Sequence, residues 1–564
     1  MADFRKVLLT LIAGALLFTA VASAQNPLNP YSCNATAVPT LARSEGHAER
    51  MGDVLLTCTG TVPTAGILAN IRLRLTANIT SNPFDKNRTK TEAMLIKDEN
   101  DNLNWYNGWW GYGSPANLQN VWQAGRISDD EIEWTGVWLA APGSPGAQTI
   151  RLTNVRGDVD QRGDFATIYA SINIVSPTSV PVDNNLLVVA DTRPGLIFSV
   201  DDVDYKNCVD PEDDFVLNFK EGYASAFLPI GDANSTNLVP GGGYLNESGW
   251  NPGSLVGGTL TNLSDIGQAD QGTRLMARIK DVPDGVDLTV PGQVTTSSGL
   301  VACVVPDSDS SGAGGNYDCS EDYEVGSDGL VVYEVVSITN TSYSTQETVA
   351  IPVDVDFDIP GPLGDATANG NLAPLSTVHT MSSTAPEPRF KDVSSDKAAF
   401  SIDACRTILL FPFVTNQAGF DTGIAISNTS MDPLDTVNQD GACSLYYYGN
   451  TSGAAGPATQ TTPEIPAGGH FVMGLSGGGG VYDYNGGFTA CSSGNCVAPL
   501  FQGYIFAICD FQFAHGYAFI SDFGARLLAQ GYLALIVPDR GEGDRAPDFA
   551  GLNAAPNDGE QLGN

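Results

Sequence analysis

The chain has 564 residues, with 64 Asp and Glu residues against 27 Lys and Arg residues, and its formal net charge is −37 at pH 7. Phosphate backbones and anionic membrane surfaces repel so acidic a protein, so we expect neither nucleic acid nor an anionic membrane as a partner. At roughly 150 residues per domain, the length predicts three or four domains, each large enough to bury a core.

Residues 1–24 have the three parts of a secretory signal peptide. Arg5 and Lys6 form its positive start, residues 7–21 its apolar centre, and residues 22–24 an Ala-Ser-Ala cleavage site. The apolar run of about 15 residues is shorter than the ~20 residues that a membrane-spanning helix needs. We therefore expect an exported protein, secreted or at the cell surface, whose mature chain has no transmembrane helix.

Short segments of alternating or continuous apolar residues follow one another through the mature chain, bounded by Gly, Pro, Asn, Asp or Ser. Such segments indicate β-strands, and the periodicity of a helix is nearly absent. The pattern predicts a mainly β fold, with two to four antiparallel β-sandwich domains in tandem and little helix after the signal peptide.

Composition shifts predict where the domains begin and end. Pro-rich segments near 176–181 and 361–388 interrupt the strand pattern, and the C-terminal end is rich in Gly, Asp, Asn and Pro, which is typical of disorder. The predicted units are a signal peptide (1–24), an N-terminal β-sandwich domain (25–182), a middle β region (183–365) with an inner joint near 290–299, a linker (366–388), a C-terminal β domain (389–538) and a disordered tail (539–564).

All ten cysteines follow the signal peptide, and an even number of cysteines in an exported chain predicts disulfides. Zinc binding is a weaker interpretation, because the chain has no Cys-x-x-Cys pair and no His at ligand spacing. Short separations predict three local disulfides: Cys33–Cys58, Cys303–Cys319 and Cys491–Cys496. The sequence leaves the pairing of four cysteines open: Cys208, Cys405, Cys443 and Cys509.

Several distinctive segments lie along the mature chain. They are Cys33 with residues 43–46 (RSEG), 52–60 (GDVLLTCTG), 151–156 (RLTNVR), 221–227 (EGYASAF), 272–275 (GTRL), 410–423 (LFPFVTNQAGFDTG) and 511–522 (FQFAHGYAFISD). Through them, most of the mature chain resembles a group of secreted, functionally uncharacterised multidomain β-proteins of environmental bacteria. The resemblance implies export and a β architecture, and it implies no reaction, because that group has no assigned activity.

Residues 474–478 (GLSGG) match the Gly-x-Ser-x-Gly pattern around a hydrolase nucleophile, and Asp510 and His515 follow in the order found in such enzymes. The pattern works there because a strand, a strained turn and a helix aim the serine at its base. Here Ser476 precedes a run of glycines that cannot begin a helix. An esterase-like hydrolase on Ser476 is therefore a minor alternative, and we expect no catalytic activity.

Six of the seven tryptophans lie between Trp105 and Trp138. Exposed aromatic rings suit stacking on sugar rings, whereas buried rings build a core. Trp109, Trp110 and Tyr112 stand among glycines, as in a loop, so they are the candidate glycan contacts of an alternative function, a carbohydrate-binding protein. Packing is the stronger interpretation of the cluster.

Residues 307–312 (DSDSSG) resemble the first half of a calcium-binding loop. Asp307, Asp309 and Ser311 take the first three ligand positions, and Asp318 takes the twelfth, where Glu normally supplies two oxygens. The shorter Asp predicts weak calcium binding, of the order of 10⁻⁴ to 10⁻³ M. A solvated loop is the stronger interpretation, and we expect no other cofactor.

Two further features of the sequence give little support for a specific binding or catalytic role. Arg-Gly-Asp occurs at 156–158 and 162–164, where it could engage a cell receptor from a protruding turn, but ordinary turn chemistry is the stronger interpretation. The four histidines are scattered and give little material for metal catalysis: His47, His379, His470 and His515.

Residues 409–414 and 504–508 are near-continuous apolar runs, so strands formed there need cover on both faces. Left as open edges, such strands would pair between molecules, which predicts self-association of the C-terminal domain. Together, these features favour an exported cell-surface or extracellular-matrix protein with a structural or adhesive role and no catalytic activity. Its expected partners are extracellular polysaccharide or further copies of itself.

Overall fold

The computed structural model describes residues 30–83, 90–97, 121–143, 146–231, 245–250, 266–339, 344–359, 361–434, 436–522, 527–537 and 561–562. β-Strands form almost all the regular structure there, with one 3₁₀ turn at Asp160–Arg162. The strands enclose three successive hydrophobic cores, from residues 31–190, 205–402 and 409–534. The multidomain, mainly β fold predicted from the sequence is confirmed.

The predicted signal peptide and nearly all of the predicted tail lie outside the described residues. Within the described part of the chain, no helix has the length and apolarity needed to span a bilayer.

The first domain is built on one long sheet. Its strands are β1 (Ser32–Ala37), β2 (Thr40–Arg43), β3 (Glu49–Arg50), β4 (Val54–Thr59), β5 (Ile67–Leu75), β6 (Lys90–Lys97), β7 (Val121–Arg126), β8 (Glu131–Ala140), β9 (Ala147–Thr153), β10 (Arg156–Gly157), β11 (Thr167–Val175), β12 (Val182–Asp183) and β13 (Leu186–Arg193). The sheet has the order β12-β1-β4-β9-β6-β7-β8-β5-β11-β13-β2, and β10 pairs with β3. Because β12 and β13 are consecutive in the chain but lie near opposite ends of the sheet, the sheet curls around a single core.

The second domain is a sandwich of two sheets. Its strands are β14 (Leu196–Asp201), β15 (Val203–Lys206), β16 (Phe215–Glu221), β17 (Arg274–Lys280), β18 (Val286–Val290), β19 (Gln293–Thr295), β20 (Val301–Val304), β21 (Tyr323–Glu324), β22 (Leu330–Ser337), β23 (Thr348–Phe357), β24 (Gly364–Ala373) and β25 (Lys397–Asp403). The two sheets have the orders β14-β16-β23-β18-β21 and β15-β25-β24-β17-β22-β20-β19. Side chains of both sheets share one core.

The third domain is a second two-sheet sandwich. Its strands are β26 (Thr407–Thr415), β27 (Asp421–Asn428), β28 (Cys443–Thr451), β29 (Ala454–Ala455), β30 (Gln460–Thr461), β31 (His470–Gly474), β32 (Gly478–Tyr482), β33 (Phe488–Ala490), β34 (Phe501–Cys509), β35 (Ala514–Ser521), β36 (Ala529–Leu533), β37 (Leu535–Val537) and β38 (Gln561–Leu562). One sheet has the order β29-β28-β34-β26-β37-β38, with β30 also on β28, and the other has the order β33-β32-β31-β27-β35-β36.

Strand β23 shows how alternation in the sequence produces these layers. Val353, Val355 and Phe357 are buried in the core of the second domain, while Asp354 and Asp356 point to solvent. Successive side chains of a strand point to opposite faces of the sheet, so one face packs in the core and the other is exposed to solvent. The alternating carboxylates are therefore part of a solvated face.

The structure moves several predicted domain boundaries. Strand β13 extends the first domain to Arg193, beyond the predicted end at 182. The predicted linker at 366–388 is wrong, because β24 lies inside a sheet between β25 and β17. The third domain begins after β25, not at 389, and the predicted joint at 290–299 is instead the passage from one sheet of the second domain to the other.

All ten cysteines form disulfides, and none is free. Three pairs are those predicted from short separations: Cys33–Cys58, Cys303–Cys319 and Cys491–Cys496. The four cysteines that the sequence left open form two pairs of longer range. Cys208–Cys405, with a separation of 197, joins the beginning of the second domain to its end, and Cys443–Cys509 joins the neighbouring strands β28 and β34.

The two apolar runs of the third domain do not form open edges. Strand β26 lies between β34 and β37, and β34 lies between β28 and β26. Association through these strands as free edges is therefore wrong. Their outer face carries Tyr448 and Tyr504, whose rings stack with centroids 5.1 Å apart, and an exposed Phe413. Self-association through this face stays a prediction.

Candidate functional site

An open groove lies on the outer face of the sheet β33-β32-β31-β27-β35-β36 in the third domain. Gly474 on β31 pairs with Gly423 on β27 and with Gly478 on β32, and Ala425 and Gly480 extend this floor. Alternate residues of the same strands point inward to the core. Because the floor residues have little or no side chain, they leave a space of about 620 Å³ above the backbone.

Four aromatic side chains form the walls of this aromatic groove. Tyr482 and Phe488 stand on β32 and β33 at one side, and Tyr517 and Phe519 stand on β35 at the other. They are between 38% and 53% exposed. The rings of Tyr482 and Phe488 have centroids 4.7 Å apart, and His470 stacks on Tyr482 at 5.6 Å. Three strand spacings separate β32 from β35, about 14 Å, which is wide enough for a sugar ring.

Glycines hold two of these rings against the sheet. A methyl group at Gly480 would lie 2.5 Å from the ring of Phe488, and one at Gly531 would overlap the hydroxyl of Tyr517. Each ring therefore lies across a glycine backbone, where any larger residue would push it away. The run of glycines in the hairpin β31–β32 thus serves the placement of aromatic side chains.

The lining of the aromatic groove suits binding better than catalysis. The residues that line it are glycine, alanine, larger aliphatic and aromatic residues, and the imidazole of His470 stacks on the outer wall residue Tyr482. Exposed ring faces pack on the apolar C–H faces of sugars, and tyrosine hydroxyls can hydrogen-bond their hydroxyl groups.

Ser476 is not part of a catalytic triad. It lies in the turn between β31 and β32, and its hydroxyl donates to a carboxylate oxygen of Asp421. Asp421 pairs with Ser521, whereas His515 pairs with Ser427, six residues further along the same two strands. Six residues of strand span about 20 Å, so His515 cannot activate Ser476. Ser476 and His515 of the predicted hydrolase pattern are therefore not brought together.

The predicted calcium loop is not assembled. Oδ1 of Asp309 accepts hydrogen bonds from the backbone and hydroxyl of Ser311, at 2.8 and 2.6 Å, and Oδ1 of Asp318 accepts the equivalent pair from Ser320. These hydrogen bonds lower the pKa of Asp309 and of Asp318. Among the described residues, Asp307, Asp309 and Asp318 do not form a group whose oxygens could share one ion.

A buried guanidinium supplies the positive charge of this loop. Arg274 donates to the carbonyl oxygen of Gly312 at 2.8 Å and forms an ion pair with Glu334 at 2.8 Å. It also donates to the carbonyl oxygen of Gly314. The carbonyl oxygen at the seventh position, that of Ala313, accepts a hydrogen bond from the backbone of Asp309 at 2.8 Å.

The predicted glycan contacts Trp109, Trp110 and Tyr112 lie outside the described residues. Of the other tryptophans in that cluster, Trp134 is fully buried and donates to the carbonyl oxygen of Ala93 at 3.3 Å. Trp122 is buried in the same core. For these two residues, packing is the observed role.

A second set of functional groups is buried where the first two domains meet. Arg43 of the first domain donates to Glu247 at 2.6 and 3.1 Å and to the hydroxyl of Thr273 at 3.0 Å. Its Nε donates to Glu49 at 2.9 Å. Burial alone would lower the pKa of Arg43, but the facing carboxylates of Glu247 and Glu49 raise it well above its usual value. The guanidinium therefore stays charged and ties the two domains together.

Four potential metal ligands come together beside this junction. Nδ1 of His47 lies 3.1 Å from Oδ1 of Asp158, and Nδ1 of His379 lies 3.0 Å from Oδ2 of the same carboxylate. With Asp160, they place four ligand atoms within 4.8 Å of one another. The spacing of the histidines in the sequence does not predict this cluster. The signal that could have indicated it is that two of the distinctive segments, 43–46 and 151–156, end within two residues of His47 and Asp158.

The two Arg-Gly-Asp tripeptides have different environments. Arg156 and Asp158 are buried, and Arg156 forms an ion pair with Glu387 at 3.1 Å. The first tripeptide therefore cannot act from a protruding turn, because it lies in the domain junction. In the second, Arg162 and Asp164 are exposed.

No family model matches the sequence, and no curated protein is significantly similar to it. Among solved structures, the serine-rich repeat adhesion glycoprotein Srr1 of Streptococcus agalactiae gives a TM-score of 0.18 at 9% identity, covering 65% of this chain and 97% of that one. The C-terminal domain of the antigen I/II-family protein AspA of Streptococcus pyogenes gives 0.20 at 9% identity, with 66% and 100% covered.

The major pilin subunit BcpA of Bacillus cereus gives a TM-score of 0.17 at 9% identity, covering 84% of this chain and 95% of that one. These TM-scores do not define a common fold, so nothing about the function of this chain rests on them.

Proposed function

We propose that the protein is exported and acts outside the cytoplasm as a non-catalytic structural or adhesion protein, at the cell surface or in the extracellular matrix. The complete pairing of ten cysteines supports export, because such disulfides persist in oxidising compartments and are rare in the cytosol. Tandem β-sandwich domains give a scaffold that can carry a binding surface on one sheet.

The aromatic groove is the observation that carries the adhesive role. Its walls expose Tyr482, Phe488, Tyr517 and Phe519 to solvent, although burying them would stabilise the domain. Side chains exposed together around a pre-formed floor are typical of a binding surface.

Carbohydrate is the ligand class that this surface fits. The lining within the described residues is uncharged, so the groove offers no partner to an acidic or basic peptide. The sheet edges β33 and β36 are short, which disfavours the addition of a long peptide strand. Neutral polysaccharide, with apolar ring faces and many hydroxyls, matches aromatic walls that carry two tyrosine hydroxyls.

A glycan array probed with the purified mature chain tests this function. We expect binding to neutral polysaccharide that falls about 10- to 100-fold in Tyr482→Ala with Phe488→Ala, since each lost ring contact is worth about 1 kcal/mol. Tyr169→Ala is the control, because Tyr169 is an exposed tyrosine of the first domain. Equal binding by the double variant and the control would refute the role of the groove.

The glycan contacts predicted at Trp109, Trp110 and Tyr112 remain a separate candidate. The same array separates the two, because Trp109→Ala with Trp110→Ala leaves the aromatic groove intact. Loss of binding in this variant alone would move the binding function to the first domain.

A further inference from the structure

The cluster of His47, Asp158, Asp160 and His379 is the strongest chemical constellation outside the aromatic groove. It is the only group of three or more His, Cys, Asp or Glu residues in the described part of the chain whose ligand atoms could share one ion. We propose that it binds a divalent transition-metal ion of the zinc class and so fastens the second domain to the first.

The spacing of the nitrogen and oxygen atoms fits ligands of one ion. Ligands of Zn²⁺ lie about 2.0–2.2 Å from the metal, so two of them at 90–110° are about 3.0–3.4 Å apart. The two distances from histidine Nδ1 to the oxygens of Asp158 are 3.1 and 3.0 Å. A small displacement of the two imidazole rings would let one ion bind both histidine nitrogens and the carboxylate of Asp158.

The state of the buried His47 ring is the second observation that points to an ion. His47 is 1% exposed, and its Nε2 is buried without a hydrogen-bond partner. A buried nitrogen in this state is unfavourable, because it has lost its contact with water. With the single proton of the neutral ring on Nε2, the lone pair of Nδ1 faces Oδ1 of Asp158 at 3.1 Å, and an ion bound to both atoms would remove their repulsion.

The surroundings of the cluster position its most exposed member. Arg389 is buried, and its guanidinium donates to the carbonyl oxygens of Val378, Thr380 and Pro386. These hydrogen bonds fix the segment that carries His379. Asn78 of the first domain donates to the carbonyl oxygen of His379 at 3.1 Å. The histidine is therefore held against the first domain before any ion arrives.

The cluster is open to solvent on one side. The side chains of His47 and Asp158 are buried, whereas that of His379 is 40% exposed and that of Asp160 is 16% exposed. The ammonium of Lys391 forms an ion pair with Asp160 and is itself 41% exposed. An ion can thus enter from solvent, and Lys391 can turn away when the ion neutralises Asp160.

The donor set selects the class of metal. Two imidazoles with two carboxylates suit Zn²⁺, whereas Ca²⁺ and Mg²⁺ prefer oxygen ligands alone. Three of the ligands belong to the first domain, and His379 belongs to the segment that follows β24 of the second. An ion held by all four connects the two domains by coordinate bonds.

Titration of the mature chain with ZnCl₂ in a calorimeter tests the proposal, with excess CaCl₂ present to saturate the acidic surface. We expect one Zn²⁺ per chain, with affinity at least 10-fold weaker in His379→Ala, whose side chain is too exposed to be needed for folding. His515→Ala is the matched control, because His515 is an exposed histidine of the third domain, and it should bind as the wild type does.

Two outcomes would overturn the metal site. One is the absence of Zn²⁺ binding up to 1 mM, and the other is equal binding by the wild type and His379→Ala, which would mean an adventitious ion only. The visible spectrum of bound Co²⁺ gives a second readout, since it changes with the number of nitrogen ligands. We expect it to differ between the wild type and His379→Gln, and identical spectra would count against the proposal.

Discussion

Arg43 is almost fully buried and donates hydrogen bonds to groups on both sides of the first domain junction. Arg43→Ala would leave the carboxylates of Glu49 and Glu247 buried without their counter-charge. Because breaking a buried ion pair from one side costs about 3–5 kcal/mol, we expect the free energy of unfolding to fall by that amount. Guanidinium denaturation followed by circular dichroism measures the change.

Arg126→Ala is the control for this prediction, because Arg126 pairs with Asp129 on the surface. Exposed ion pairs contribute little, so this variant should unfold almost as the wild type does. A similar loss of stability in both variants would contradict the role of burial at Arg43.

Glu221 gives the second domain a dependence on pH. Burial raises the pKa of Glu221 to about 7, against the opposing hydrogen bonds from the backbone of Glu347 and Phe227. A pKa raised in the folded state means that the stabilising contribution is complete below about pH 4.5 and is lost as the pH rises through 7. We expect the free energy of unfolding to fall by roughly 3 kcal/mol across this window.

Denaturation curves at pH 5 and pH 8 test this assignment. Glu221→Gln cannot ionise at this position, so the difference between the two pH values should shrink by roughly 2–3 kcal/mol. Glu324→Gln, at an exposed glutamate of the same domain, should keep it. If Glu221→Gln retains the full dependence, another group is responsible.

Several charged residues at the junction of the first two domains are buried, and the local sequence pattern did not predict this. Arg43, Arg156 and Glu387 are buried because each finds a counter-charge in a segment far away in the chain. The convergence of His47 and His379 has the same cause. Composition and local pattern contain no information on such partners, since only the packing of two domains brings them together.

Hairpin β31–β32 depends on glycine for the shape of the aromatic groove. In Gly480→Ala, the new methyl group would lie 2.5 Å from the ring of Phe488 and would also crowd the backbone of Thr489. We expect a loss of glycan binding of about 10-fold, which corresponds to about 1.4 kcal/mol, together with a lower melting temperature of the third domain.

Gly477→Ala is a close control, because a methyl group there meets nothing within 4 Å. Both variants replace one glycine of the same hairpin by alanine, so both lower the conformational entropy of the unfolded chain by a similar amount. Equal binding and equal melting temperatures in the two variants would show that neither glycan binding nor stability depends on the present position of the Phe488 ring.

Strand β24 explains why one element was missed. Its sequence, residues 364–373 (GDATANGNLA), has few large apolar side chains, and the linker predicted at 366–388 covers most of it. In the structure, a methyl group at Gly370 would overlap the ring of Phe198 from β14, so the opposite sheet fills the space. By contrast, strands with clear alternation, such as β23, were predictable because their own side chains build the core.

At the scale of the whole molecule, we expect two thermal transitions in calorimetry. The first two domains share buried ion pairs and should unfold together, whereas the third has its own core. Replacing Cys443 and Cys509 by Ser removes a link with a separation of 66, so the third domain should lose about 2–5 kcal/mol.

The matched control replaces Cys491 and Cys496 by Ser. That disulfide closes a loop with a separation of only 5, so its loss should shift the same transition less. A single transition that moves as a whole in the Cys443 and Cys509 variant would mean that the three domains unfold as one unit.

Under tension, the disulfide Cys208–Cys405 would decide which part of the chain carries the load. A pull between the two ends of the protein reaches β14 and β15 before Cys208, but between Cys208 and Cys405 the covalent bond carries the load and the residues between stay folded. Reduction would release a segment with a separation of 197, adding about 70 nm of contour length in single-molecule stretching. The strands between the two cysteines would keep their fold while the rest of the molecule is stretched.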